Sequence, residues 1–126
     1  MKDPRLLGMH ALLAKPGFFA FLRGLDRDEA LDARDRASFD GAWTHDFTAV
    51  EAERGRISRE DLRFLDGVRE VAFKRAFRAS NDAEIAARVA DDIDLVAKSF
   101  LLHRDDSWSV RVLWSCYRNR EFPRNP

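Results

Sequence analysis

The sequence has a single cysteine, Cys116, among its 126 residues. A disulfide bond within the chain is therefore excluded, which fits a reducing compartment. Long hydrophobic runs are also missing, because the apolar pieces near the N-terminus are broken by Gly8, Lys15 and Pro16. We expect neither a signal peptide nor a membrane-spanning helix of about 20 apolar residues. These absences predict a cytoplasmic protein, and a bacterial origin is the default expectation.

The chain also lacks net charge, because 22 Lys and Arg residues balance 22 Asp and Glu residues. Nucleic-acid-binding proteins usually carry an excess of positive charge, so this class of partner is disfavoured. No internal repeat, linker or low-complexity tract divides the sequence. With 45% hydrophobic residues the chain can bury a core, and we expect one helical domain over residues 1–126.

Motifs of catalysis and metal binding are missing too. The sequence contains no His-Glu-x-x-His, G-x-S-x-G, P-loop or G-x-G-x-x-G pattern. The three histidines have no metal-ligand spacing, and Cys116 has no neighbouring histidine to activate it. The sequence therefore predicts no catalytic residue, no metal site and no cofactor. The sequence leaves enzymatic activity open and favours a protein that is not an enzyme.

What the sequence does contain is a wide apolar stripe between Ser80 and His103. At about 100° per residue, a helix over this segment gathers nine apolar side chains into an arc about 160° wide. Asn81, with Glu84 three residues later, predicts the helix start through a capping box. A stripe this wide needs cover from other helices. Its members are Ile85, Ala86, Val89, Ala90, Ile93, Val96, Ala97, Phe100 and Leu101.

A second central helix is predicted from Ser58 to Arg78. Ser58 and Asp61 form a helix-start pair, and apolar residues cover most of the circumference. Only a short turn separates this helix from the next, so we expect the two to pack antiparallel. The predicted fold is all-α: a compact single-domain bundle of five or six helices around this hairpin. The main apolar face of the second helix is expected at Leu62, Leu65, Ala72, Phe73, Ala76 and Phe77.

The N-terminal half supplies further helices. Asp3–Pro4 predicts a helix start, because proline at the first helical position loses no needed hydrogen bond. After an interruption at Pro16–Gly17, the Phe18–Phe21 patch is dense enough to be either core or a dimer face. Residues 28–54 are predicted to be helical, with a bend or break at Gly41.

Residues 107–120 fit both a strand and a helix. We favour a helix, because the chain offers no second good strand for pairing. The segment is rich in aromatic residues and arginine, which are enriched at binding hot spots. In the alternative interpretation the tryptophans close the core and the arginines stay in solvent. We name five of these residues the C-terminal block: Trp108, Arg111, Trp114, Tyr117 and Arg118.

Charged residues interrupt the apolar arcs of the two central helices. Arg69 and Asp66 lie three residues apart on the first helix, and Asp92 lies at the edge of the stripe on the second. Because a buried charge without a partner is costly, we expect Arg69 to pair with Asp92 or with Asp66. A structural ion pair or a partly solvated helix edge is the plain interpretation. A ligand-binding site is the alternative, and it would include His103, which projects toward the apolar side at the helix end.

Asp91, Asp92 and Asp94 form an acidic cluster. Their spacing on a helix directs Asp91 to solvent and the other two to opposite flanks of the stripe, so their oxygens would not converge on a metal ion. A solvated helix face is one interpretation of the acidic cluster. A surface that attracts a basic protein is the other.

These features favour a small intracellular protein-interaction module of unknown partner. A bacterial immunity or antitoxin-like inhibitor is a concrete candidate on size and composition, and it would bind through Arg69, the acidic cluster and the C-terminal block. The alternative is a helical enzyme or small-ligand binder with a polar site around Arg69, Asp66, Asp92 and His103. A homodimer stays open, and the sequence names neither partner nor substrate.

Overall fold

The computed structural model describes residues 3–126, and no strand occurs among them. The all-α bundle predicted from the sequence is confirmed. Short 3-10 turns at Phe18–Leu22 and Arg54–Arg56 and a π-helical turn at Ser109–Trp114 join the longer elements. The six helices are α1 (Pro4–Leu13), α2 (Arg27–Asp35), α3 (Ala37–Ala52), α4 (Arg59–Ser80), α5 (Ala83–Leu101) and α6 (Ser115–Arg118).

The α4–α5 hairpin forms the centre of the fold, as predicted. Asn81 does not cap α5. It closes α4 in a left-handed conformation (φ 53°), and its N–H donates to the carbonyl oxygen of Phe77 at 2.7 Å. The cap of α5 is Asp82, whose carboxylate accepts from the N–H groups of Glu84 and Ile85 at 2.9 and 3.1 Å. The predicted capping box was therefore wrong by one residue, because Asn tolerates the left-handed turn that the hairpin needs.

The apolar stripe of α5 lies in the core. Eight of its nine members are buried, and only Leu101 is partly exposed. Burial extends beyond the stripe to Asp92, Leu95 and Ser99, because α4, α3, α1 and the π-helical turn all pack on α5. Helix α5 is therefore the central element of the bundle.

The predicted main face of α4 was partly wrong. Leu65, Ala72 and Ala76 are buried, together with Val68, whereas the side chains at Phe73 and Phe77 are 37% and 39% exposed. The two alanines present a small surface toward the partner helix, and small contact residues allow helix axes to approach closely. The bulky phenylalanines lie at the edge of this contact.

The Phe18–Phe21 patch belongs to the core. Phe18 and Phe19 are buried, Phe21 is partly buried, and their rings contact one another edge to face or tilted. Gly17 precedes this turn with a φ of 75°, a conformation that favours glycine. A dimer through this patch would expose the core, so the homodimer expectation finds no support at this place.

The predicted break at Gly41 was wrong. The chain breaks at Arg36, whose backbone is extended (ψ 141°) between α2 and α3, and Gly41 lies inside α3. Residues 109–118 are helical, as favoured from the sequence. Among residues 3–126, no helix combines the length and apolarity needed to cross a membrane.

Candidate functional site

The carboxylate of Asp92, in the middle of α5, is fully buried. Arg34 donates to both of its oxygens, at 2.9 and 2.6 Å. Trp43 Nε1 donates to one oxygen at 2.9 Å, and the hydroxyl of Tyr117 donates to the other at 2.6 Å. Asp92 and Tyr117 are completely buried, and Arg34 is 4% exposed. This buried cluster therefore joins α2, α3, α5 and α6.

The surroundings of Arg34 complete the cluster. Its guanidinium lies over the rings of Phe39 and Phe122, 4.5 and 5.2 Å from their centroids, and it donates to the carbonyl oxygen of Pro123 at 3.3 Å. Bidentate guanidinium–carboxylate pairs combine charge with fixed geometry. Protein groups donate four hydrogen bonds to the Asp92 carboxylate, so the cluster connects the helices from inside the fold.

Tyr117 shows the effect of this burial on ionisation. Desolvation and the nearby carboxylate of Asp92 raise the pKa of Tyr117 well above 10.0, although Arg34 opposes the shift. The tyrosine therefore stays protonated and keeps donating to Asp92. A phenolate at this position would face the carboxylate directly.

A second buried carboxylate, Asp46 on α3, fixes the start of the π-helical turn. Its oxygens accept from the backbone N–H of Ser109 at 2.9 Å and from Arg104 at 3.3 Å. The hydroxyl of Ser109 lies 2.9 Å from that of Ser99 on α5. Asp46 is 3% exposed, so this contact ties α3 to the C-terminal segment from inside the fold.

The expected pairing of Arg69 with Asp92 or Asp66 was wrong. Arg69 binds Asp91 of α5 and lies 3.7 Å from Asp94, whereas Asp92 takes Arg34 and Asp66 is exposed. The side chains of Arg69 and Asp91 are each more than 40% exposed, so their ion pair lies at the surface. Sequence spacing could not select between the carboxylates, because the choice depends on the rotation of α5 against α4.

Exposed or partly buried aromatic rings flank this surface ion pair. On α3, the rings of Trp43 and Phe47 stack 5.3 Å apart, and Trp43 and Phe47 line the same hollow as Arg69, Asp91 and Asp94. On α4, Phe73 lies one helical turn after Arg69 and stacks on Phe77 at 6.3 Å. We call this surface the aromatic face; it consists of Trp43, Phe47, Arg69, Phe73, Phe77, Asp91 and Asp94.

The charges of the aromatic face are held in a network. Lys98 lies 2.9 Å from Asp94 and 3.1 Å from Glu51. Arg69 binds Asp91 and reaches toward Asp94. Ion pairs at both ends restrict these side chains, so the surface between the aromatic pairs presents a defined pattern of charge.

The residues of the predicted small-ligand site do not come together. Asp92 is enclosed, Asp66 and Arg69 lie at the surface of α4, and His103 is exposed with a φ of 59°. The expectation that His103 projects toward the apolar side was wrong. Its Nδ1 lies 3.5 Å from a nitrogen of Arg5, outside the core.

The C-terminal block divides between core and surface. Trp114 and Tyr117 are buried and Trp108 is partly buried, whereas Arg111 and Arg118 are exposed. This arrangement matches the interpretation in which aromatic side chains close the core. Tyr117 and Asp92 are buried, so neither can contact a partner in this conformation. Arg111 and Arg118 are the exposed members of the C-terminal block.

No group of three or more His, Cys, Asp or Glu side chains within residues 3–126 is arranged to hold a metal ion. Cys116 is half-buried, and burial, Glu121 and Asp92 raise the pKa of its thiol. A raised pKa keeps the thiol protonated and weakens it as a nucleophile.

Sequence reasoning assigned no functional role to Arg34, Asp46, Trp43 or Phe47. A signal for Arg34 was present, because it follows the apolar Ala30, Leu31 and Ala33 within one short helix and shares their buried face. For Asp46 the neighbours His45 and Phe47 are exposed, and no local pattern predicted a buried carboxylate between them.

Comparison with known protein families assigns this helical bundle to the class of immunity proteins. Residues 9–124 match the family model described as Immunity protein PIM1. The match runs from α1 past α6 and includes the buried cluster and the aromatic face. The chain therefore belongs to this immunity-protein family. No curated protein matches the chain.

Proposed function

We propose that this chain neutralises a protein toxin by binding it. The observation that carries the proposal is the match of residues 9–124 to an immunity-protein family. The geometry agrees with a binding role: the buried carboxylates of Asp92 and Asp46 accept hydrogen bonds inside the fold, and the polar residues of the alternative enzyme or small-ligand site lie apart.

We assign the contact with the toxin to the aromatic face. It contains Phe47, Phe73 and Phe77, three of the four large hydrophobic side chains that are exposed within residues 3–126. Aromatic residues and arginine dominate the energetically important centres of protein interfaces. Stacking fixes the rings before binding, which reduces the entropy lost on association. Arg69, Asp91 and Asp94 would supply the polar contacts around them.

We also propose that the protein works in the bacterial cytoplasm. The support is the single cysteine, since its thiol has no partner in the chain and a reducing compartment keeps it free. Fractionation of the native host with an antibody against the chain tests this location. Recovery in the periplasmic fraction would contradict it.

The function is tested by growth rescue. The product of the gene adjacent to that of this chain is expressed from an inducible promoter in a laboratory bacterium, alone and together with the chain. We expect growth to stop when the neighbouring product is expressed alone and to recover when the chain is present. Neighbouring products that are harmless, or whose toxicity the chain does not relieve, would contradict the proposed function.

A pair of variants tests the aromatic face separately. Phe47→Glu combined with Phe73→Glu places two charges at the centre of the face, and we expect it to abolish rescue. The matched control is Leu7→Glu, because Leu7 is 45% exposed on α1, away from this face. Both variants are checked for a native circular dichroism spectrum. Full rescue by the double variant would refute the assignment of this surface.

A further inference from the structure

In two neighbouring hollows of the surface, all charged lining residues among residues 3–126 are cations. One lies between the Phe18–Leu22 turn and α4, and the other lies between α1 and the π-helical turn. Lys15 lines both, and within residues 3–126 no carboxylate lines either. We call the two hollows together the basic groove. Its cations are Arg5, Lys15, Arg23, Arg75, Arg78 and Arg118.

The charges of the basic groove are mostly uncompensated. Arg5 is held by Asp3 and Asp105, but the other five cations make no ion pair with any residue of 3–126. Arg34, Arg69 and Arg88 have carboxylate partners, and arginines unpaired within residues 3–126, such as Arg36 and Arg63, also occur outside the groove, so the groove is distinguished by its grouping of unpaired cations. In a chain whose charges cancel overall, this segregation creates a local positive potential that attracts anions.

The floor of the groove next to α1 is apolar. Met9, Leu12, Phe100, Val110 and Trp114 line this hollow, whose volume is about 540 Å³. Ligand clefts in proteins typically measure about 300–1,000 Å³. A ligand that satisfies both parts of the groove therefore carries apolar groups for the floor and negative charges for the rim.

The groove and the aromatic face meet at α4. Phe73 and Phe77 lie on one side of the C-terminal half of this helix, and Arg75 and Arg78 line the first hollow on the other side. A partner that covers the exposed edge of α4 would contact both surfaces. The groove is therefore placed to receive an extension of a protein that docks on the aromatic face.

We propose that the basic groove binds an acidic, amphipathic segment of the toxin. Its carboxylates would pair with Lys15, Arg118 and the arginines of α4, and its apolar side chains would cover the floor around Trp114. This inference rests on the proposed function. Nucleic acid is the competing polyanion, but the charges of the chain as a whole cancel, which disfavours nucleic acid as the partner.

The binding chemistry is tested with two labelled probes. One is a helical peptide with Leu along one side and Glu along the other, and the second is an oligothymidine of equal length. Fluorescence anisotropy with the full chain should show saturable binding of the peptide that weakens as salt rises, and weaker binding of the oligonucleotide. Tighter binding of the oligonucleotide, or no binding of the peptide, would overturn the proposal.

Variants locate the binding. Lys15→Glu combined with Arg118→Glu reverses two exposed rim charges, and we expect peptide affinity to fall by at least about tenfold. The matched control is Arg59→Glu combined with Arg63→Glu, which reverses two exposed arginines outside the groove. If both variants lose the same affinity for the peptide, binding depends only on the net charge of the chain, and the groove is not the binding site.

The toxin itself separates this inference from the proposed function. If the unmodified chain fails to rescue growth, the proposed function fails. If the unmodified chain rescues and binds the toxin, Lys15→Glu with Arg118→Glu should slow association and reduce its dependence on salt, and the control variant should not. Equal association rates for the groove variant and the unmodified chain would overturn the groove while leaving the immunity function standing.

Discussion

Replacing Asp92 by Ala removes the one acceptor shared by Arg34, Trp43 and Tyr117. Four hydrogen bonds end on this carboxylate, two of them from the guanidinium of Arg34. Arg34 is 4% exposed and has no other carboxylate within residues 3–126. The substitution therefore leaves a buried positive charge uncompensated.

The size of the effect follows from these contacts. Breaking a buried ion pair by removing one partner costs about 3–5 kcal/mol. The hydroxyl of Tyr117 is also fully buried, and an unsatisfied buried donor adds about 1–3 kcal/mol. Domains are typically stable by only about 5–15 kcal/mol. We expect Asp92→Ala to remove at least 3–5 kcal/mol, as estimated for the ion pair alone.

A double-mutant cycle separates charge from packing. Asp92→Leu and Arg34→Met are measured alone and combined, by urea unfolding followed with tryptophan fluorescence and circular dichroism. The double variant contains no unpaired charge, so its unfolding free energy should exceed that of Asp92→Leu alone. Coupling between contacting residues is typically about 0.5–3 kcal/mol.

Two results would refute this reasoning. If Asp92→Ala lowers the free energy of unfolding by less than about 1 kcal/mol, solvent or another group compensates the charge of Arg34, and the two residues do not behave as a buried ion pair. Strict additivity of the two substitutions would mean that Asp92 and Arg34 do not stabilise one another. Asp91→Ala is the matched control, because Asp91 is partly exposed and its pair with Arg69 should contribute less than about 1 kcal/mol.

Three further predictions concern stability. Ile93→Asp places a charge in the middle of the buried stripe and should cost more than about 3 kcal/mol in urea unfolding, whereas Ala87→Asp on the exposed side of α5 should change little. Tyr117 is the only tyrosine of the chain. It releases its proton near pH 10.0 in the unfolded chain but only at higher pH in the folded protein. The free energy of unfolding should therefore fall as pH rises above 10.0, by up to about 1.4 kcal/mol per pH unit. Its phenolate absorbance should appear together with unfolding, and a titration midpoint at 10.0 in the folded protein would contradict its burial. Asp3 caps α1, and its hydrogen bond from Arg5 lowers the pKa of Asp3 below 3.8. Asp3→Ala should therefore lower the free energy of unfolding by about 1 kcal/mol at neutral pH, and by less as pH falls below 3.8. An equal loss at all pH values would show that the cap does not depend on the ionised carboxylate.

Prediction from the sequence succeeded where the signal is local. The starts of α1 and α4 at Asp3 and Ser58 were visible because a helix start depends on a side chain within three residues. The α5 stripe was visible because helical spacing repeats every turn. Gly41 shows the limit of this approach: glycine lowers helix propensity, but packing keeps α3 continuous through it.

The candidate site was less predictable, because its contacts join distant parts of the chain. Arg69 was expected to pair with Asp92 or Asp66, yet it binds Asp91 at the surface and lies near Asp94. Phe73 and Phe77 were expected in the core, and they lie on the aromatic face. A helical wheel shows which side chains share a side, but it cannot show which side the neighbouring helices cover.

The sequence alone determined that this chain is a helical bundle centred on one hairpin, since helical periodicity and caps are properties of neighbouring residues. Only the tertiary structure decided that Arg34 and Asp92, 58 residues apart, form the buried pair. It also decided that Lys15 and Arg118 border one groove. The physical reason is that the rotation and offset of packed helices, set by side-chain shape across the whole core, choose which distant charges meet.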